Sequence, residues 1–438
     1  MGGNERLTVF FYYLVSMLYR FGWTLMWVTF RIFFRKIDVL GAEKLQHGKP
    51  AILIANHPAS FLDAMVLAVF LGRPIHFYVR GDIFSDPLVY RILTKLHMIP
   101  IFSREHGTGN LAKNKTTFDR GRKLLSAGNL LLIFPEGFSR QSKQAEPFKK
   151  GAARVALQTA FDDGKADHLC IQTVALNYSH HGFGANLFIR VGDTLELGQY
   201  ETAYREFPAQ AVNRLTADMQ ALFEKNVIHV RKGERTDTVE TVMRMAYHDH
   251  AGNKEAYFWA SRNICEKVAE MNEETYATFQ SKLARYHQLL TENEVDDISF
   301  SANSAPSKSN CLILFLVSPF FALGTIIWWI PGNISKWIAD KTVTRIDFYT
   351  SVYNGVLGFM GLIWWVLWQI VFWIAGLQTL AVIMIASPLF CYVAIRWNDR
   401  YALQKSINKV IMMQKKNSQV LDVIKRIRHD IFQLCENH

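Results

Sequence analysis

A stretch of 48 residues without any Asp, Glu, Lys, Arg or His, residues 348–395, most constrains what this 438-residue chain can fold into. Only lipid or a large protein core accommodates so long an uncharged stretch. It has room for two membrane spans of about 20 residues each, joined near Gly376 and Gln378. We therefore expect a hairpin of two transmembrane helices in the carboxyl-terminal part of the chain.

A second uncharged stretch, residues 309–335, precedes the first and contains Pro319 and Pro331. The basic residues between the two stretches, and those that follow residue 395, favour the cytoplasmic side for both segments. Two crossings return the chain to the side that it left, so residues 311–330 are expected to re-enter or to lie along the membrane. Three full spans are the alternative.

The amino-terminal residues alternate bulky apolar side chains with Arg20, Arg31 and Arg35. This pattern favours a helix that lies in the membrane interface, and a helix of a protein core is the alternative. Because no small-residue cleavage site follows, we interpret the segment as a retained one and not as a signal peptide.

The charge and the cysteines narrow the class of protein. The formal net charge is +11, which suits an anionic membrane surface, and no nucleic-acid motif is present to favour DNA or RNA instead. The five cysteines form no CxxC pair, so neither a disulfide framework nor structural zinc is expected. We predict an integral membrane protein whose soluble domain faces the cytoplasm.

Beyond about residue 49, short β-like runs alternate with helical patterns, which indicates an α/β domain. The runs are residues 51–55, 75–79, 130–134, 171–176 and 187–191. The predicted order of segments is a membrane-associated helix at 1–35, an α/β domain at 36–206, a helical extension at 207–298, a linker at 299–310, a hydrophobic membrane region at 311–395 and a basic helical tail at 396–438.

The sharpest local signal is the sequence Asn-His-Pro-Ala-Ser-Phe-Leu-Asp at residues 56–63, between a strand-like and a helix-like run. Ser60 suits a helix N-cap, which would place Asp63 at the third helical position. There the carboxylate could hold the imidazole of His57 in one tautomer and make it a base for an alcohol. Alternatively, Ser60 and Asp63 only cap the helix and His57 is a loop residue.

A second signal is an apolar run that ends in Phe-Pro-Glu-Gly at residues 134–137. Glu136 could accept hydrogen bonds from the hydroxyl groups of a glycerol backbone, and Gly137 would allow close approach. Alternatively, Glu136 caps a helix or pairs with Arg140. A third run, residues 98–103, ends at Arg104, whose planar guanidinium suits phosphate, although a single surface Arg is commonplace.

Taken in this order, the three blocks resemble the phospholipid and glycerol acyltransferase family, which includes lysophosphatidic acid and glycerol-3-phosphate acyltransferases. The basic Phe-Lys-Lys-Gly stretch at residues 148–151 is similar to one in that family. The resemblance covers roughly residues 35–200. It implies an α/β fold with a mixed sheet flanked by helices, and transfer of a fatty acyl group to a glycerol-phosphate hydroxyl.

The resemblance also implies roles for single residues. His57 would be the general base and Asp63 would orient it. Arg104 would bind the acceptor phosphate, and Glu136 and Gly137 would form the acceptor site. Residues 173–178 would line the acyl donor.

Two features depart from the family pattern. Five residues separate His57 from Asp63 where four are commoner, and Thr173 stands where a proline is usual. The reaction needs no metal or bound cofactor, because the donor is itself a co-substrate, a CoA or acyl-carrier-protein thioester. The expected partners are therefore the bilayer, the thioester donor and the glycerol-phosphate acceptor.

Other polar residues offer weaker candidates. Asp82 is a possible rival partner for His57, and no histidine has a neighbour at metal-ligand spacing. Basic residues near Glu136 could hold substrate phosphates or could form a solvated surface; they are Lys143, Lys149, Lys150 and Arg154.

The sequence thus predicts a membrane-anchored glycerolipid O-acyltransferase. The alternative is a lipid-binding or lipid-organising membrane protein on an inactive acyltransferase scaffold, for which the longer His57 to Asp63 spacing is the support. A transporter would need ionisable residues inside its spans, and residues 348–395 have none.

Overall fold

The computed structural model describes residues 2–46, 48–102, 110–165, 168–250, 252–301, 308–416 and 418–436. The chain divides into two compact units. One comprises Met1–Val227 with Val343–Asn354, and the other comprises Ile228–Thr342 with Gly355–His438. The short second segment of the first unit comes from the carboxyl-terminal part of the chain.

The first unit is an α/β domain. Its strands are β1 Lys36–Leu40, β2 Ala51–Ala55, β3 Ile75–Arg80, β4 Met98–Ile101, β5 Leu130–Ile133, β6 Cys170–Tyr178 and β7 Asn186–Glu196. Its helices are α1 Gly2–Phe33, α2 Phe61–Phe70, α3 Pro87–Lys95, α4 Asn110–Ser126, α5 Gly151–Leu157, α6 Glu201–Glu206 and α7 Pro208–Glu224.

The seven strands form one mixed sheet in the order β1-β7-β6-β2-β5-β3-β4. Strands β2 to β6 run parallel to one another, whereas β7 is antiparallel to β6 and parallel to β1. In open sheets of parallel strands, ligands bind beyond the carboxyl ends of the strands. Strands β2, β4 and β5 all end at this edge of the sheet.

The predicted mixed sheet flanked by helices is confirmed. All five residues of β2 are buried, as expected for a central strand covered on both faces. Its Ile52 and Ile54 pack with Leu131 of β5 and Ile171 of β6, and helices α5 and α7 add further apolar side chains to this core. β1 was not among the predicted runs, because Lys36 and Asp38 interrupt its apolar residues.

The second unit is helical. Its helices are α8 Thr236–Asp249, α9 Lys254–Glu270, α10 Glu273–Glu292, α11 Lys308–Thr342, most of α12 Ile346–Ile374, α13 Gln378–Ile385, α14 Ser387–Lys415 and α15 Gln419–Glu436. Apolar side chains of α8, α9, α10 and α15 form one core, exemplified by Val242, Phe258, Phe279 and Ile424.

By length and composition, two helices could each cross a membrane, Asn310–Thr342 and Ile346–Ile374, and α13 with α14 could form a third span bent by 54°. The chain turns at Gly376, as expected from the sequence. Helix α11 continues through both Pro319 and Pro331. Apolar helices tolerate proline where neighbouring groups satisfy the freed carbonyl groups. The Ser318 hydroxyl donates to the carbonyl of Phe315, four residues before Pro319, at 2.7 Å, and the Trp364 indole donates to the carbonyl of Ile327, four residues before Pro331, at 2.8 Å.

The carboxyl-terminal end of helix α1 is buried within the first unit, and other bulky side chains of its described part are exposed. Phe30 and Phe33 are buried, whereas Met17, Phe21 and Trp27 are exposed. Such exposed aromatic and aliphatic side chains are what an interfacial helix presents to lipid.

Candidate active site

The catalytic candidate His57 follows β2 directly, at the carboxyl edge of the sheet. The residue between them, Asn56, ties the chain to the neighbouring strand β6. Its side-chain amide donates to the carbonyl of Leu176 at 2.9 Å, and its side-chain oxygen accepts from the amide of the same residue at 2.8 Å. The chain therefore remains hydrogen-bonded to β6 at the point where it leaves the sheet before His57.

The turn that follows brings His57 and Asp63 together. The His57 Nδ1 atom lies 3.0 Å from Oδ2 of Asp63. Helix α2 begins at Phe61, so Asp63 occupies its third position. Ser60 is the N-cap residue, with a left-handed φ of 51° and no side-chain capping bond. The turn of residues 58–60 thus absorbs the extra residue between His57 and Asp63.

The Asp63 carboxyl group is fully buried and has three partners. Oδ2 also accepts from the backbone amide of Ala59 at 2.8 Å, and Oδ1 accepts from the hydroxyl of Tyr178 at 2.8 Å. Burial raises the pKa of Asp63, while the bonds from His57, Ala59 and Tyr178 favour the charged form and act against this rise. Because the carboxylate oxygen accepts a hydrogen bond, we assign the imidazole proton to Nδ1 of His57. Nε2 then carries no proton and can accept one.

The imidazole of His57 is also fixed by an aromatic ring. It stacks on Phe134 with a ring-centroid distance of 3.8 Å and an interplanar angle of 11°, and its side chain is 19% exposed. The loop that carries Phe134 contacts the turn a second time, because the amide of Arg140 donates to the carbonyl of His57 at 3.2 Å. A third contact joins Ser139 to Ser60, whose amide donates to the Ser139 hydroxyl at 3.0 Å.

Glu136 lies in the loop after β5, the strand next to β2. Its side chain is buried, and burial raises the pKa of its carboxyl group to about 7, although the backbone amides of Glu146 and His57 favour the charged form. Its Oε1 atom is buried and has no hydrogen-bond partner among the described residues. Glu136 is therefore part of the same site as His57 and Asp63, and it does not pair with Arg140, which binds Glu146 at 2.5 Å.

Gly137 adopts a left-handed conformation with a φ of 76°, which L side chains rarely adopt. A Cβ atom here would lie 2.6 Å from Nζ of Lys149. The glycine thus lets the loop turn immediately after Glu136 beside a lysine side chain.

Arg104 lies outside the described residues, so the structure does not place it. The rival carboxylate Asp82 does not bind His57; it pairs with Arg80 at 2.7 Å. Of the basic cluster, Lys143 donates to the carbonyl of Tyr178, whereas Lys149, Lys150 and Arg154 are exposed.

Residues 173–178, expected to line the acyl donor, are all buried within β6. Thr173 accepts a hydrogen bond from Asn226 at 3.0 Å, and Tyr178 binds Asp63. The role of Tyr178 was missed by sequence reasoning, since nothing in the sequence links a tyrosine to a carboxylate 115 positions earlier. Among the described residues, no group of three or more His, Cys, Asp or Glu side chains could hold a metal ion.

Comparison with known proteins identifies the domain that carries these groups. The profile of the acyltransferase family matches residues 36–177, which include His57, Asp63 and Glu136. Residues 36–177 are therefore similar to the acyltransferase family. The match to this acyltransferase domain ends at Asn177, within β6, and covers about a third of the chain.

Three curated proteins that are similar to the acyltransferase domain carry the same enzyme name. The chain is 28% identical over 31% of its length to a chloroplastic 1-acyl-sn-glycerol-3-phosphate acyltransferase of Brassica napus. It is 24% identical over 38% to the 1-acyl-sn-glycerol-3-phosphate acyltransferase of Borreliella burgdorferi, and 26% identical over 43% to that of Bacillus subtilis. The chain spans 38%, 65% and 85% of these relatives, respectively.

One solved structure is also similar, that of the 1-acyl-sn-glycerophosphate acyltransferase PlsC from Thermotoga maritima. The TM-score is 0.32 at 17% sequence identity, and the match covers 50% of this chain and 84% of that one.

Proposed function

We propose that the protein is a glycerolipid acyltransferase that moves a fatty acyl group from a CoA or acyl-carrier-protein thioester to the free hydroxyl of lysophosphatidate. The observation that carries the proposal is the His57–Asp63 pair, joined at 3.0 Å at the carboxyl edge of the sheet. The names of the relatives support lysophosphatidate as the acceptor.

The His57–Asp63 pair can perform this transfer as a general base. Nε2 of His57 removes the proton from the acceptor hydroxyl while the oxygen of that hydroxyl attacks the thioester carbonyl carbon. Asp63 keeps the other ring proton on Nδ1 and stabilises the imidazolium that forms. When the tetrahedral intermediate collapses, the carbon–sulfur bond breaks and the proton on Nε2 passes to the leaving thiolate. The products are the ester and a free thiol, and His57 is neutral again.

Glu136 and Gly137 supply the acceptor side of the proposal. Because burial raises the pKa of Glu136 to about 7, its carboxyl group is partly protonated near neutral pH and can both accept and donate a hydrogen bond. Its Oε1 has no partner within the described structure, so a hydroxyl of the glycerol backbone would satisfy it. Arg104 follows β4, which ends at the same edge of the sheet, and is the proposed ligand of the acceptor phosphate.

The membrane segments fit a reaction between lipids. Both the acyl chain and the acyl acceptor dissolve in a bilayer, and two helices of the chain are long and apolar enough to cross one. We also propose that the acyltransferase domain lies on the cytoplasmic face, because basic residues follow residue 395.

The decisive experiment measures thiol release and lipid product with the purified protein in lipid nanodiscs. Acyl-CoA and acyl-carrier protein are each offered with lysophosphatidate, glycerol 3-phosphate or other lysolipids. His57→Ala should abolish transfer, and Asp63→Asn should lower kcat by roughly 10² to 10⁴. The matched control is His429→Ala on α15, an exposed histidine outside the acyltransferase domain, which should retain full activity. Retained turnover in His57→Ala would falsify the mechanism.

The same assay separates the non-catalytic alternative. The support for an inactive scaffold was the five-residue spacing between His57 and Asp63, and the turn accommodates that spacing with the two side chains in contact. A lipid-binding protein would retain lysophosphatidate without releasing thiol.

A further inference from the structure

The start of helix α12 belongs to the acyltransferase unit, although the rest of the helix does not. Residues Val343–Asn354 group with Met1–Val227, and Gly355 is the first residue of α12 in the second unit. The side of α12 that faces this unit is buried, with Thr350 at 1% and Ser351 at 0% exposure. A segment from outside the matched family region therefore forms part of the unit that holds the catalytic candidates.

Ser351 contacts the catalytic turn through two hydrogen bonds. Its hydroxyl donates to the carbonyl of Ala59, and its oxygen accepts from the amide of Leu62 at 3.2 Å. These two residues flank Ser60, the residue with the left-handed φ. The turn between His57 and Asp63 is thus held on both sides of its most strained residue.

These contacts replace a missing helix cap. The side chain of an N-cap residue ordinarily accepts a hydrogen bond from the amide of the second or third helical residue. Ser60 occupies the N-cap position of α2 but makes no such bond. Leu62 is the second residue of α2, and its amide donates both to the hydroxyl of Ser351 at 3.2 Å and to the carbonyl of Ala59 at 3.3 Å. Ser351 therefore caps α2 from a different helix.

The capped turn leads directly to the Asp63 carboxylate. The amide of Ala59 donates to Oδ2 of Asp63, the same oxygen that binds His57. Because Ser351 binds the carbonyl of Ala59, it restrains the peptide group directly after the one whose amide binds this oxygen. Nearby, Tyr353 packs edge-on against Phe33 at 5.4 Å, which adds an apolar contact between α12 and the end of α1.

We propose that Ser351 is a positioning residue for acyl transfer, and that the start of a membrane-spanning helix thereby completes the catalytic turn. This inference rests on the proposed function. Ser351 is the sixth residue of α12, about 8 Å from the start of the helix at 1.5 Å per residue. The His57–Asp63 pair thus lies close to the start of a candidate span.

Kinetics of Ser351 variants test the proposal. Ser351→Ala should lower kcat on the order of tenfold to a hundredfold, the effect of a small displacement of a catalytic group, with little change in KM. The pH profile of kcat/KM should also move, because Ala59, whose amide favours the charged form of Asp63, loses a restraint at its carbonyl group. Ser351→Thr keeps the hydroxyl and should recover most of the activity.

The matched control is Ser335→Ala. Ser335 is likewise fully buried, and its hydroxyl binds only its own helix, at the carbonyl of Pro331. This variant should keep both kcat and the pH profile of the wild type. Thermal unfolding in the same nanodiscs shows whether either substitution acts through stability.

The outcomes are distinct. Wild-type kinetics in Ser351→Ala overturn the positioning role and leave the proposed function intact. Equal losses in Ser351→Ala and Ser335→Ala, each matched by a lower unfolding temperature, also overturn it. If the wild-type protein transfers no acyl group, the proposed function fails. The coupling between Ser351 and His57 is then tested by the rate at which diethyl pyrocarbonate carbethoxylates His57. Equal rates in wild type and Ser351→Ala would refute the coupling, and a changed rate would support it.

Discussion

Tyr178 donates its phenol hydroxyl to Oδ1 of Asp63 at 2.8 Å, while His57 and Ala59 bind the other oxygen. Both oxygens of a fully buried carboxyl group are therefore satisfied, as burial of a charge requires. The tyrosine is the last residue of β6 and the carboxylate is in α2. The sheet itself thus supports the acid that orients the imidazole.

Replacement of Tyr178 by Phe should impair the reaction more than binding. The variant leaves Oδ1 of Asp63 without its donor, which costs about 1–3 kcal/mol, and removes a bond that favours the charged form. The pKa of Asp63 should rise, so activity should be lost at a higher pH on the acid side of the kcat/KM profile. An unchanged acid limb would show that Tyr178 has only a packing role. Tyr204→Phe, which removes an exposed hydroxyl from Asp162, is the control.

Glu136→Gln should change how stability depends on pH. Burial raises the pKa of Glu136 from 4.5 to about 7, so the folded protein holds this proton more tightly than the unfolded chain. The resulting stability is complete below pH 4.5 and is lost as the pH rises to about 7. It amounts to about 3 kcal/mol, since one pKa unit corresponds to about 1.4 kcal/mol.

The wild type should therefore lose stability between pH 4 and pH 8, by about 3 kcal/mol more than Glu136→Gln does. Urea unfolding at both pH values, with hydrogen exchange to monitor the acyltransferase unit, measures this difference in the free energy of unfolding. Glu196→Gln, an exposed glutamate at the end of β7, should behave like the wild type. Parallel pH curves for wild type and Glu136→Gln would contradict the raised pKa.

Gly137→Ala should destabilise the loop after β5. An alanine at a φ of 76° costs about 1–2 kcal/mol, and its Cβ would displace the amino group of Lys149 from its position over the Phe138 ring. Hydrogen-exchange protection of this loop should fall, and KM for the acceptor should rise. Gly198→Ala is the control, since its Cβ would meet nothing within 4 Å and its φ is not positive; it should leave both quantities unchanged.

Arg104→Ala should raise KM for lysophosphatidate about tenfold or more, because a charge-assisted bond to phosphate contributes about 1.5–3 kcal/mol. The KM for the thioester donor should stay constant. Arg91→Ala, on α3, tests whether any loss of positive charge has the same effect. Equal increases in both variants would assign the effect to the general field of the basic surface.

The fold was predictable where local patterns decide it. The apolar residues 51–55 form β2 with the predicted bounds, because a central strand is uniformly apolar. The meeting of His57 and Asp63 was also predictable, since a six-residue separation across a helix start is a local matter. The helix through Pro319 was not, because the tolerance of proline depends on what surrounds the helix.

The tertiary partners of the site were beyond local pattern. Tyr178 lies 115 positions from Asp63, and Ser351 lies 292 positions from Ala59. Both side chains are of common types inside apolar runs, so neither stands out in the sequence. Glu136 was recognised as a candidate, yet its raised pKa depends on burial, which the Phe-Pro-Glu-Gly block does not reveal.

The paired contacts of Asn56 with the backbone of Leu176 determine which side chain this position accepts. An aspartate has the same size but no N–H group, so one of its oxygens would face a carbonyl oxygen. A leucine would fill the volume and leave two main-chain groups of β6 unsatisfied. The position before His57 therefore needs a side chain that both donates and accepts a hydrogen bond, as the carboxamide of Asn56 does, and a side chain of the same shape alone is not sufficient.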